Sequence, residues 1–290
     1  MQKYQGTPIL SAKTLLGLLG KAAVNTVRHD GIEHAGYLAF LGLLALFPFL
    51  VFIVALAGFF GEGQAGNEFI RLFFSYLPHD MVQALKPRIA EIISGPPQGL
   101  LTISIVGAIW TSSSELEGYR TVLNRAYDVT SPPAYIWRRL LSIAQTLILS
   151  FVLVVFMLVL VGVPLAWEKL PFLAKHIQMD TALGDQLTHA SLLAIFLVVA
   201  AAYYFLPNIK QSLQSVVPGA FVVTFLWLLS ARLLSLYISQ FRQVNLIYGS
   251  LGGIIAALLF FYVSNIIFIY GAELNHLIKL ALGERIERRR

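Results

Sequence analysis

The sequence predicts an all-α polytopic membrane protein, a bundle of six transmembrane helices with amphipathic interfacial helices beside it. Three observations carry that prediction. The chain is 57% hydrophobic and only 12% charged, whereas soluble domains carry roughly 25% charged residues. Residues 247–274 form an apolar run whose single charge is Glu273, at its end. As a helix it reaches ~42 Å, more than the ~30 Å hydrocarbon core. The third observation is the distribution of lysine and arginine, which sets the number of crossings.

Apolar runs mark candidate spans at about 36–61, 98–114, 140–167, 189–206, 215–238 and 247–274. The second is short, bounded by Pro96 and Pro97 before it and Glu115 after it. Charge decides whether it crosses. With six crossings, one side receives Lys3, Lys13, Lys21, Arg28, Arg120, Arg125, Arg138, Arg139, Lys210, Lys279, Arg285, Arg288, Arg289 and Arg290. The other side receives Arg71, Lys86, Arg88, Lys169, Lys175 and Arg242, a bias of 14 to six. The positive-inside rule then puts both termini in the cytoplasm. Five crossings would send the basic tail outside.

Residues 1–290 thus read as a single membrane domain, with a cytoplasmic amphipathic arm over 1–35 and a basic cytoplasmic tail over 275–290. The arm lacks a clean apolar core before a small-residue cleavage site, so no cleavable signal peptide is expected. Residues 9–28 suit a helix with Lys13, Lys21 and Arg28 opposite Leu15, Leu16, Leu19, Ala22 and Ala23. Between the first two spans, residues 62–97 hold a second amphipathic segment that Asp80 can cap. The expected partners are the lipid bilayer and anionic lipid headgroups at the basic termini. A homo-oligomer is a candidate assembly. Nucleic acid is not expected, because no aromatic stacking set accompanies the basic residues.

Several residues stand out within or beside the spans. Ser114 and Glu117 fit a capping box, so a new or continuing helix runs to Tyr127. A short second span would line a polar vestibule with Ser112, Ser113, Ser114, Glu117 and Arg120; the competing reading is a surface helix with a weak ion pair. Arg232 is the one cation inside a span, placed to snorkel outward or to face a pocket. Asn265 and Glu273 complete the candidate polar or translocation set, with Asn265 and Gln145 read first as interhelical hydrogen bonders. Gly249, Gly253 and Ala257, followed by Ser264 and Gly271, form a small-residue face for close helix packing. Pro48 should kink the first span by removing a backbone bond to Leu44.

Enzyme chemistry finds little support. The chain has no cysteine, which excludes disulfides and thiolate chemistry. Its six histidines show no H-x-H or H-E-x-x-H spacing. There is no Walker lysine motif and no G-x-S-x-G elbow. Neither an enzyme nor a cofactor is expected.

The chain resembles the YihY/BrkB family of bacterial inner-membrane proteins over nearly its whole length. The likeness lies in residues 39–50 (AFLGLLALFPFL), in Trp110-Thr-Ser-Ser running into VLNRAYDV, and in Leu206-Pro-Asn. It continues through 217–229 (VPGAFVVTFLWLL) and is strongest from Ile247-Tyr-Gly-Ser-Leu-Gly-Gly to Tyr270-Gly-Ala-Glu-Leu-Asn. The resemblance implies a six-helix inner-membrane protein with cytoplasmic termini. It brings no catalytic residues with it. The family has carried a ribonuclease label, inherited from a tRNA-processing nuclease and regarded as mistaken. Its members are linked to serum resistance and envelope lipid export. The expected function is therefore a transporter or exporter of a lipid or amphipathic solute. A non-transporting envelope scaffold is the alternative, and a membrane-bound tRNA-processing ribonuclease comes third.

Overall fold

The computed structural model describes residues 12–59, 98–129, 133–149, 151, 182–240 and 251–284, and every regular element among them is a helix. They are α1 (Ala12–Arg28), α2 (Gly31–Phe59), α3 (Gln98–Ala126), α4 (135–149), α5 (Ala182–Phe205), α6 (Leu213–Gln240) and α7 (Leu251–Ala281). Two of them are long and apolar enough to cross a membrane, over Leu213–Leu234 and Ile254–Ala281. Shorter apolar helical stretches occupy Gly31–Ala45 and Leu192–Phe205. The expected crossings at 36–61, 98–114, 140–167 and 189–206 each fall partly on residues whose side chains or backbone lie outside the described set, as does the amphipathic segment over 62–97.

α7 is the central helix. α1, α2, α3 and α6 all pack on it, and α5 reaches it through Tyr203. The Tyr203 ring stacks on Phe268 with centroids 4.7 Å apart, and its hydroxyl donates to the Phe268 carbonyl at 2.5 Å. Tyr119 of α3 meets the same Phe268 edge-on at 5.2 Å. On the α6 side, Trp227 Nε1 donates to the Ser264 carbonyl at 2.9 Å. Leu123, Val199, Val216, Ala220, Val223 and Ala272 fill the space between these anchors. Aromatic rings supply area here, and each polar tip finds a backbone or amide acceptor, as burial requires.

The tightest contact lies between Gly219 of α6 and Gly271 of α7. A Cβ on Gly271 would strike Val223 Cγ2 and lie 2.5 Å from the Tyr203 hydroxyl; one on Gly219 would strike the Asn275 carboxamide. Small residues let the two backbones approach. The sequence places Gly271 on the small-residue face but centres that face on Gly249, Gly253 and Ala257. Gly249 lies outside the described residues, while Gly253 and Ala257 sit on α7 with Ala257 half-buried. Pro48 lies within α2.

Three local details settle or shift the sequence reading. α3 passes through Ser114 without a break, so no cap forms there: Ser114 Oγ donates to the Trp110 carbonyl one turn back at 2.7 Å. An unbroken helix has no free amide for a cap to take. α6 starts at Leu213, two residues early, because Ser212 caps it by accepting from the Ser215 amide at 3.2 Å. Pro218 consequently falls in its second turn. On α1 the buried face is Leu18, Ala22 and Thr26, the first two docked on Leu274 and Ile278, while Leu16 and Val27 stay 68% and 60% exposed. The helix has two apolar faces, and α7 covers one.

Exposed apolar side chains continue along the outside of the bundle. Leu197, Phe221, Phe225 and Leu233 all keep more than half their surface. In water such a surface would drive association. Against lipid it is the expected exterior.

Replacing Gly219 or Gly271 by alanine should destabilise the fold by about 1–3 kcal/mol through overpacking. Gly20→Ala, where a new methyl meets nothing within 4 Å, should be neutral or mildly stabilising. Thermal denaturation of the three variants in detergent will separate them; equal melting temperatures would refute the contact.

Candidate functional site

Polar side chains gather at one pole of the bundle, where α2 and α6 begin and α3, α5 and α7 end. The α1–α2 corner turns there at Asp30, whose φ is 55°, a left-handed conformation that aspartate tolerates better than most residues. The Asp30 carboxylate pairs with Arg125 near the end of α3.

α3 and α4 are joined by a polar ladder. Arg139 donates to Ser114 Oγ at 3.0 Å, Ser142 donates to Glu117 Oε2 at 2.9 Å, and Arg120 donates to Gln145 Oε1. Each pair is separated by 25 residues. On α4 the participants recur every three residues, a polar stripe on a helix whose other faces carry Ile136, Trp137, Leu140 and Ile148.

Arg120 is wholly buried and lies at the centre of this network. Its Nε donates to Glu117 Oε2 at 3.2 Å, and Nη1 donates to the Leu206 carbonyl at 3.1 Å. That carbonyl follows the end of α5 and precedes Pro207, so no helical amide is available to it. Burial draws the guanidinium below its ordinary value, and the adjacent Glu117 carboxylate acts the other way. It stays charged, as arginine does in proteins. A second guanidinium shares the same carboxylate, with Arg138 Nη1 3.4 Å from Glu117 Oε1.

Beside the ladder lies an open cavity of about 520 Å³. Its walls are Glu33, His34 and Tyr37 from α2, Ser114, Glu117, Gly118, Thr121 and Val122 from α3, and Tyr135, Arg138 and Arg139 from α4. Arg139 is held rigidly on this wall: its guanidinium stacks 4.3 Å above the Trp110 ring and donates to the Trp110 carbonyl at 3.2 Å.

A second polar cluster surrounds the end of α7. Glu273 is fully buried and accepts from His29 Nδ1 at 2.7 Å. Tyr127 is buried beside Asn275 and Gln211, and burial raises its phenol above the ordinary value. Lys279, 2% exposed, donates to the Lys210 carbonyl at 2.5 Å and pairs with Glu284 at 3.6 Å. Asn124 accepts from the Asn208 amide at 2.8 Å. The α5–α6 turn is thus held by Arg120, Asn124 and Lys279.

Of the residues singled out from sequence, the fold brings Ser114, Glu117 and Arg120 together. The surface-helix reading of Glu117 and Arg120 fails, since both are buried. Ser113 is also buried, but its hydroxyl bonds back to the Trp110 carbonyl at 3.0 Å. Asn265 is the interhelical bonder expected, accepting from Tyr119 at 2.7 Å. Glu273 belongs to the second cluster, and Arg232 is exposed on α6, apart from both. The sequence reading missed Arg138, Arg139 and Ser142 as site residues, counting the arginines only toward topology. The spacing of Arg139, Ser142 and Gln145 in an otherwise apolar helix was the available signal. It also passed over the string GEGQAG at 61–66, which has the glycine spacing of a dinucleotide loop and lies outside the described residues. Among the described residues, no three His, Cys, Asp or Glu side chains form a group that could hold a metal ion.

Comparison with known proteins gives a consistent family. The sequence profile described as Virulence factor BrkB matches residues 22–290. The Bacillus subtilis (strain 168) protein YfkH, whose name calls it ribonuclease-like, is 31% identical over 255 residues, covering 86% of this chain and 90% of its own. A UPF0761 membrane protein of Pseudoalteromonas atlantica (strain T6c / ATCC BAA-1087) is 28% identical, over 90% of this chain and 86% of its own. Another from Vibrio campbellii (strain ATCC BAA-1116) is 26% identical, over 89% and 79%. No solved structure matches the chain.

The network around Arg120 generates a stability prediction. Glu117→Leu leaves two guanidinium groups uncompensated and should cost roughly 3–5 kcal/mol. Adding Arg120→Leu should recover part of that loss, because the pair is then removed together. Melting temperatures of the single and double variants test this; a double variant less stable than the single one would reject a charge-compensation role.

Proposed function

Because the chain belongs to the Virulence factor BrkB family and is a membrane protein, we propose that it is a transporter or exporter of a lipid or amphipathic solute. It works in the bacterial inner membrane, crossing six times with both termini cytoplasmic. The observation that carries the reading is the open, charged cavity between α2, α3 and α4. A polar recess walled by arginine and glutamate lies beside helices whose outer surfaces are apolar, as at Ile136 and Leu140 of α4. An amphipathic molecule needs both surfaces at once: a polar site for its head and an apolar flank for its tail. Ionisable groups retained among apolar helices are costly and mark such paths. α1 adds an exposed apolar face next to Lys21 and Arg28, a combination that suits an anionic leaflet.

A second reading follows the ribonuclease-like name of the Bacillus subtilis relative. Incubating purified protein with RNA and divalent metal separates the two: cleavage that tracks the protein through purification would favour it.

Reconstitution into liposomes tests transport directly. Wild-type protein should accelerate lipid scrambling or solute flux above empty vesicles. Glu117→Gln and Arg138→Gln, which alter the cavity wall, should reduce the rate several-fold. Vesicles with wild type no faster than empty ones, or variants as fast as wild type, would defeat the proposal.

A further inference from the structure

We infer that the cavity between α2, α3 and α4 binds a phosphate-bearing anion through the guanidinium groups of Arg138 and Arg139. This names the cargo class of the transport reading and rests on it for its use in the cell, although the binding is measurable without transport.

The charge balance of the wall comes first. Glu117 lines the cavity: its Oε2 accepts from Arg120 Nε at 3.2 Å and from Ser142 Oγ at 2.9 Å, and its Oε1 lies 3.4 Å from Arg138 Nη1. Arg120 lies behind the wall, wholly buried, and offsets that charge from inside the protein. Glu33 stands exposed in the first turn of α2. One buried carboxylate thus answers the guanidinium groups of both Arg120 and Arg138, and with Arg139 the wall keeps an excess of positive charge.

The donors are also incompletely used. Nε of Arg138 and Nε of Arg139 are both buried with no hydrogen-bond partner among the described groups. Arg139 is only 9% exposed. Its Nη2 is committed to Ser114 Oγ and the Trp110 carbonyl, and its plane is set by stacking on Trp110. A buried arginine fixed by one edge with its Nε unpaired is a preorganised donor. His34 Nδ1 donates to the Asp30 carbonyl at 2.7 Å, which leaves Nε2 of the same ring for the cavity.

Geometry favours phosphate over carboxylate. A guanidinium fork meets two oxygens in parallel, and a carboxylate supplies only one such pair. A phosphate group presents further oxygens and up to two negative charges, enough to engage two adjacent arginines. The space of about 520 Å³ falls within the range of small-molecule sites and leaves room for a group attached to the phosphate. A lipid headgroup and a free phosphate or soluble phosphomonoester share this chemistry.

The test uses full-length protein in nonionic detergent and phosphate-free buffer, titrated calorimetrically with inorganic phosphate, dihexanoyl phosphatidic acid and acetate. Saturable binding of a phosphate compound, stronger than acetate, is expected. Arg138→Gln and Arg139→Gln should each weaken it about tenfold or more. Binding of the short-chain lipid alone identifies a headgroup site; equal binding of inorganic phosphate identifies a free-phosphate site, and both support the inference. Arg138→Lys and Arg139→Lys keep the charge but lose the fork, so they should bind more weakly than wild type even if a glutamine variant fails to fold. The inference is overturned if neither phosphate compound binds, if acetate binds as well, or if the lysine variants match wild type. Phosphate binding without flux in liposomes would sink the transport reading alone, and flux without binding would sink this site alone.

Discussion

The fold depends on how closely other helices can approach α7. At Gly271 one α-carbon faces Val223 of α6, the Tyr203 hydroxyl of α5 and the Gly219 carbonyl at once. No side chain fits between them. The backbone proximity lets Asn275 accept from the Gly219 amide at 2.8 Å, one turn further along α7. It also lets Tyr203 reach the Phe268 carbonyl. In a bilayer, apolar burial gives helices little reason to prefer one another over lipid, so close packing and interhelical hydrogen bonds have to hold them together. The glycine contact makes both available.

Packing at that point has a consequence at the pole. Once α5, α6 and α7 are drawn together, the turn between α5 and α6 lies against the ends of α3 and α7. Its carbonyl groups need donors there, and Arg120 and Lys279 supply them. Two buried cations then need their own compensation, which comes from Glu117 and Glu284. Each ion pair traces back to a backbone group with no helical partner. The charged pole is thus both a structural joint and the wall of the cavity. Glu117 shows the double role most plainly, with one oxygen bound into the joint and the other facing Arg138.

Much of this is legible in the sequence. The helical class follows from long apolar runs in a chain poor in charge, and Asn265 reads correctly as a bonder between helices because an amide in an apolar stretch needs a partner. Ser114 leaves two readings open, since serine followed by glutamate three residues on fits a cap or the inside of a continuous helix, and the fold takes the second. Arg138 and Arg139 mislead. Counted as loop charges they serve the positive-inside argument, and nothing local distinguishes them from Arg125, which is half-exposed beside Asp30.

The sequence by itself determined the helical membrane class of the protein, a close-packing face on its last apolar helix, and its family. These are properties of local composition and order along the chain, and the bilayer translates composition directly into helices. Tertiary structure alone decided which charges share a site. Ser114 and Arg139 lie 25 residues apart, and Arg120 and Leu206 lie 86 apart. Their meeting depends on where α4 and the α5–α6 turn dock on α3, and the place of the turn is set by contacts such as Gly219 against Gly271 that involve neither charge.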